Sequence, residues 1–173
     1  QDIDGVSGGV KALYLYDTAS WSTQDLVDDF SKATTDNVVR AVNVSIGGCE
    51  TGSETNGAAT GDSIFQEADS EGMTFSVSSG DSGADECGDG GVTPSWPADS
   101  QYVVAVGGTE LYTSGTTWES ETVWNNLSSN EGATGGSPST FEAMPSWQQG
   151  IGQNAGHSTR GVPDVAFDAS PVS

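Results

Sequence analysis

Ser76-Val77-Ser78-Ser79-Gly80-Asp81-Ser82-Gly83 closes an apolar run, Met73 to Val77, and breaks it with two glycines and one carboxylate. The run reads as a buried strand, and Gly80 and Gly83 give the backbone freedom to turn sharply at its carboxyl end. In open α/β sheets that end borders the crevice where ligands bind, which singles out Asp81 among the acids. The same residue also fits a plain turn, its side chain bonding nearby backbone.

Outward from this stretch, the pattern alternates strand and helix. Val10 to Tyr16 has the β-branched and aromatic content of a strand, after the turn signal Ser7-Gly8-Gly9. Ser22-Thr23-Gln24-Asp25 has the form of an N-terminal cap, and Leu26, Val27 and Phe30 follow at helical spacing, giving a helix to about Ala33. Val38 to Ser45 reads as a second strand, and 51–60 as a polar, Gly-rich loop. Asp62 then caps a helix with Ile64, Phe65 and Ala68 inward. Beyond Asp81, Tyr102 to Val106 forms another strand run, Thr117 to Trp124 a candidate strand, and Gly132 to Ser137 an open loop. Pro145-Ser146-Trp147 and Val162 to Asp168 add short, Pro-punctuated elements. A β-α-β-α-β order calls for a parallel sheet with helical crossovers.

The chain has 173 residues, enough for one domain with a real core, and no shift in composition marks a linker. Asp and Glu number 25 against 4 Lys and Arg, a net charge of -21, which argues against nucleic acid or an anionic membrane as partner. At low pH such a chain escapes the cationic self-repulsion that drives acid unfolding; salt tolerance or simple solubility would account for the same charge. No apolar stretch is long enough to span a bilayer. Cys49 and Cys87 are too few for a four-ligand zinc site. A disulfide between them, expected in an oxidising compartment, would contribute roughly 3–4 kcal/mol. Two unpaired thiols in a cytosolic protein are the alternative.

Imidazole chemistry has one candidate, His157, in a polar stretch that reads as surface loop. Asp85, Glu86 and Asp89 crowd the loop after Asp81. A solvated acidic loop describes them better than a calcium site, since no alternation of ligands around an obligatory Gly is visible.

Five motifs occur in one order: Asn43 to Gly47, Ser76 to Gly83, Pro94-Ser95-Trp96-Pro97-Ala98, Ala105 to Thr109, and Val162 to Asp168. Together they resemble the sedolisins, acid-acting serine-carboxyl peptidases, and most of all the bacterial pepstatin-insensitive branch. The resemblance implies an α/β, subtilisin-like fold, a mostly parallel sheet with helices on both faces, with 1–173 as the central segment of one catalytic domain, incomplete at both ends. It places Asp81 as the oxyanion-hole acid. A carboxylate has no proton to donate, so this role requires the protonated form, and an unperturbed aspartic acid titrates near 3.9. The resemblance makes Ser45, Ile46, Gly47 and Gly48 the stretch that pairs with an extended substrate, sets Glu86 and Cys87 beside the pocket for the residue preceding the scissile bond, counts Ser79, Gly80 and Glu86 among the substrate-binding residues, and matches Cys49 and Cys87 to a family disulfide.

The family's paired Glu and Asp lie upstream of Gln1, and its Gly-Thr-Ser nucleophile motif lies downstream of Asp168 and occurs nowhere in this sequence. Its calcium ligands also lie near the family's carboxyl end, outside this segment, so no cofactor is expected here. The expected parent is a secreted, monomeric endopeptidase acting on peptides or proteins, with the flanking segments of the domain as partners and this segment inactive alone. A non-catalytic peptide-binding domain of the same fold is the alternative.

Overall fold

The structure, a computed structural model, describes residues 2–51, 54–151, 156–171 and 173. A short helix α1 (Asp2–Ser7) precedes α2 (Thr23–Asp36), whose cap is the expected one: Ser22 Oγ accepts the Asp25 N–H at 3.2 Å. The helix runs past Ala33 and ends at Asn37, which takes a left-handed conformation. Then follow β1 (Ala41–Val44), β2 (Gly48–Cys49), α3 (Glu54–Ser70), β3 (Thr74–Ser78), β4 (Ser95–Trp96), β5 (Val104–Ser114), β6 (Thr117–Val123), β7 (Pro138–Ala143), β8 (Thr159–Gly161) and β9 (Val165–Asp168).

Five strands form the main sheet in the order β1-β3-β5-β6, with β9 also paired to β5. β1, β3, β5 and β9 are parallel neighbours, and β6 returns antiparallel as a hairpin on β5. This is an α/β sheet, mostly parallel and flanked by helices. Register sorts the side chains. Val44, Phe75, Val77 and Ala105 point to one face and are buried, while Asn43, Ser76, Ser78 and Val106 alternate to the other. Leu26, Val27 and Phe30 of α2 and Ile64, Phe65 and Ala68 of α3 pack in one core with the apolar face. At its centre Phe30, Phe65 and Phe75 meet with ring centroids 5.0–6.0 Å apart, and Trp96 stands 6.1 Å from Phe30. The second helical layer expected on the other face is not supplied by α2 or α3, and that face carries polar residues instead.

Two expectations need correction. Val10 to Tyr16 is not a strand: it has no ladder among the described residues, and Leu13 and Leu15 are 70% and 87% exposed. Strand-like composition does not suffice without a neighbour to pair with. The helix expected from Asp62 begins at Glu54, so Asp62 lies inside it and accepts the Ser100 hydroxyl. Gly57, within the stretch that reads as loop, serves contact: a Cβ there would come within 2.1 Å of Thr23 Cγ2, and one on the next glycine of the helix, Gly61, would sit 3.3 Å from both the Phe65 and Trp96 rings.

Two further links hold the periphery. Cys49 and Cys87 are joined in a disulfide across 38 positions. Arg160, fully buried, pairs with Asp164 through bonds of 2.7 and 2.8 Å, donates to Ser100 O at 2.9 Å and lies 5.1 Å from the Trp147 ring centroid.

Replacing Phe65 by Ala should cost about 3–5 kcal/mol in denaturant unfolding, whereas Leu15→Ala should change it by no more than about 0.5 kcal/mol. Equal losses at both positions would show that the Val10–Tyr16 segment is packed after all. Removing the disulfide with the pair Cys49→Ala and Cys87→Ala should lower stability by about 3–4 kcal/mol, read from the same curves.

Candidate active site

Where β1 and β3 end, their polar face opens into a cavity of about 370 Å³. Asn43, Ser45, Ser76, Ser78, Gly80, Asp81, Trp124 and Asp168 are among the residues that line it. It lies against the carboxyl ends of parallel strands, the position at which α/β sheets bind ligands.

Asp81 stands at this cavity with its main chain fixed and its side chain exposed. The fixing comes from a second segment laid alongside the turn. Ala133 N–H donates to Asp81 O at 2.8 Å, Gly135 N–H to Gly80 O at 2.8 Å, and Gly83 N–H to Ala133 O at 3.2 Å. Beneath the turn, buried Ser79 donates its N–H to Val106 O and its hydroxyl to Gly135 O, each at 2.8 Å. Gly80 is obligatory here. Its φ is 111°, and a Cβ would come within 2.2 Å of the Glu86 carboxyl. Among the described residues the Asp81 carboxyl has no hydrogen bond or ion pair: Arg160 is held by Asp164, and Arg40 bonds Asn37 Oδ1 at 2.7 Å.

Glu86 lies behind Gly80, half-buried, and its Oε1 accepts the Ser82 N–H at 2.8 Å. Burial is the main cause that pushes its carboxyl above the usual range, with the charges of Asp81 and Asp85 adding to it. It therefore braces the turn from inside.

Of the residues singled out in the sequence, Ser45, Gly80 and Asp81 line this one cavity. Ile46, Gly47, Gly48, Ser79 and Glu86 do not. Ile46 packs against the core, and Gly48 pairs with Trp96 in the antiparallel β2–β4 ladder. The small size of Gly47 answers a demand of the fold itself: a Cβ there would lie 2.5 Å from Trp96 O and 2.7 Å from Ser95 Oγ. His157 is exposed on the rim of a different cavity, shared with Trp147 and Pro163. Asp85 accepts the Asp89 and Gly90 N–H groups at 3.2 and 2.9 Å, and among the described residues no group of three or more His, Cys, Asp or Glu side chains is placed to hold a metal. These residues offer calcium no ligand set.

Sequence reasoning missed Asn43, Ser76, Ser78, Trp124 and the bracing segment at Ala133–Gly135. The serines carried a readable signal, since Ser76 and Ser78 alternate with the buried Phe75 and Val77. The bracing segment carried none, being as Gly-rich as a free loop.

Residues 2–162 match the model of the subtilase family. Xanthomonalisin of Xanthomonas sp. (strain T-22) is 39% identical, with an alignment covering 100% of this chain and 25% of that protein. Sedolisin of Pseudomonas sp. (strain 101) is 42% identical over 98% of this chain and 31% of its own length. Among solved structures, Pseudomonas sedolisin (serine-carboxyl proteinase) complexed with two molecules of pseudo-iodotyrostatin superimposes with a TM-score of 0.82 at 41% identity, covering 94% of this chain and 47% of that one. The chain thus spans between a quarter and a third of these two curated relatives. With the subtilase match over most of its length and relatives near 40% identity, the chain belongs to the sedolisin, or serine-carboxyl peptidase, family.

Proposed function

We propose that this chain carries the oxyanion-binding acid and part of the substrate groove of a secreted, acid-acting serine-type endopeptidase. The observation that supports this best is Asp81, whose carboxyl stands at the cavity without a hydrogen bond or ion pair among the described residues while its backbone is held by Ala133. A carboxylic acid kept free of partners is available to donate its proton to an oxygen that gains charge during attack on a peptide carbonyl. Rigid backbone keeps that donor in place with no reorganisation when the charge develops.

In this reading an extended peptide lies along Ser45 to Gly48 and past Ser79 and Gly80, and the side chain preceding the scissile bond enters beside Glu86 and Cys87. The nucleophile is a serine activated by carboxylates, which operate at a pH where imidazole would be protonated. None of the three is assigned within this chain, which accordingly cleaves no peptide by itself. The substrates are peptides or proteins, the working form is a monomer, and 1–173 is the central part of one catalytic domain. A disulfide between Cys49 and Cys87 suits an extracellular location.

In the full-length protein, Asp81→Ala should lower kcat on a peptide substrate at acid pH by on the order of 100- to 1000-fold, with little change in KM. A kcat within a few-fold of wild type would remove Asp81 from the oxyanion role. Loss of binding with kcat preserved would instead favour a peptide-binding contribution alone.

A further inference from the structure

Four carboxyl groups from distant parts of the chain converge behind the groove. Glu50, directly after β2, and Asp99, after β4, are each 1% exposed, and Glu142 of β7 is 7% exposed. Asp62 of α3 completes the group. Glu50 is an acceptor on both oxygens. Thr140 N–H and Oγ1 reach its Oε2 at 2.8 and 2.6 Å, and the Ser139 hydroxyl donates to Oε1. Neither oxygen of Asp99 has a donor from any hydroxyl, amide or guanidinium. What acts on Asp99 is the Glu50 carboxyl, with Glu142 next, and the β2–β4 ladder brings Asp99 and Glu50 to one place: Cys49 pairs with Ser95, whose carbonyl accepts the Asp99 N–H at 3.2 Å. Two carboxyls that meet in a buried site bond only if one carries a proton, and with Glu50 occupied as acceptor that proton belongs to Asp99. Glu142 lies beside Asp62, which accepts the Ser100 hydroxyl, and its N–H donates at 2.7 Å to the same Ser139 hydroxyl that bonds Glu50. Among the described residues no Lys or Arg side chain bonds these carboxyls. Arg160 of β8 reaches the carbonyls flanking Asp99, those of Ala98 at 3.5 Å and Ser100 at 2.9 Å, and those of Val103 and Gly161, and its charge is matched by Asp164.

We propose that Glu50, Asp99, Glu142 and Asp62 form a proton-held lock that fastens the Ser45–Cys49 segment to β7 and α3 in acid and releases it as the pH rises toward neutrality. The position of Glu50 makes the connection. It follows the β2 residues Gly48 and Cys49 without an intervening residue, and its N–H donates to Pro94 O at 3.3 Å. Charge gathered on the cluster therefore acts on the groove strand and on the disulfide behind it.

The sign follows from linkage. Burial first, then the charge and hydrogen bond of Glu50, push Asp99 up to about 9. Burial first, then Asp62, pushes Glu142 up to about 7. Both groups thus hold protons in the folded state that an unfolded chain gives up above about pH 4. Their stabilisation is full below that pH and is lost progressively as pH rises through 7 and toward 9. Each such group multiplies the unfolding equilibrium constant by about ten per pH unit, so the pair gives on the order of 100-fold per unit between about pH 5 and 6.5.

The test is denaturant unfolding of the full-length protein from pH 4 to 8 for wild type, Asp99→Asn, Glu142→Gln and the surface control Glu119→Gln. Asp99→Asn keeps a hydrogen-bond donor for Glu50 without an ionisable proton. It should match wild type near pH 4 and unfold about tenfold less steeply per pH unit above pH 5, with Glu142→Gln doing the same up to about pH 7 and Glu119→Gln following wild type. A wild-type slope retained in Asp99→Asn would overturn the lock. So would stabilisation at pH 7 by millimolar calcium that a chelator reverses, which would assign the cluster to a cation. Should the variants fail to fold, calorimetry of wild-type unfolding at pH 6 in two buffers of different ionisation enthalpy counts the protons directly: about two supports the lock, and fewer than one overturns it. None of these readouts requires peptide cleavage, so the lock and the peptidase reading stand or fall separately.

Discussion

A buried carboxyl with all its partners in place is the constraint on which the arrangement of parts depends. Glu50 gathers the backbone and hydroxyl of Thr140 and the hydroxyl of Ser139 on its carboxyl and donates its own N–H to Pro94 O, and so joins β2, β7 and the chain at β4 at one point. The desolvation of a lone carboxylate there would be severe, and only the full set of donors makes it tolerable. The Cys49–Cys87 bond beside it ties this point to the loop that follows Asp81. Next to it, Arg160 does a similar service for the carbonyls of residues 98, 100 and 103.

From those fixed points the site follows. β3 delivers Phe75 and Val77 to the core and Ser76 and Ser78 to the cavity, because a strand alternates its side chains. At the end of β3 the chain turns on Gly80 over the Glu86 carboxyl and is clamped by Ala133 and Gly135. The result is an acid side chain presented to solvent from an immobile backbone. Such an arrangement suits a donor that must already be oriented when charge appears, and Asn43, Ser76 and Ser78 line the cavity beside it together with Val106 and Phe167.

Much of this was legible in the sequence where a single local rule sufficed. Ser22 and the spacing of Leu26, Val27 and Phe30 marked α2, and Met73 to Gly83 marked the central strand and its turn. The five ordered motifs carried the family and, with it, Asp81 and Ser45. Illegible were features whose cause lies elsewhere in the chain. Val10 to Tyr16 has the content of a strand and, among the described residues, no strand to pair with. The start of α3 looks like loop because Gly57 leaves room for Thr23 and Gly61 for Phe65 and Trp96. Ala133, in a stretch that reads as open, bridges to both Ser82 and Asn125. The four carboxyls of the lock are spread from Glu50 to Glu142, too far apart in the chain for any local pattern to bring them together.

The claim at the centre of the account is that Asp81 works as an acid carrying its proton. Carbon-13 NMR of aspartate-labelled full-length protein, bound at pH 4 to a peptide aldehyde that forms a tetrahedral adduct and assigned by difference from Asp81→Asn, reads that proton directly. The account predicts a protonated Asp81 carboxyl in the adduct. An ionised Asp81 in the same complex would contradict it.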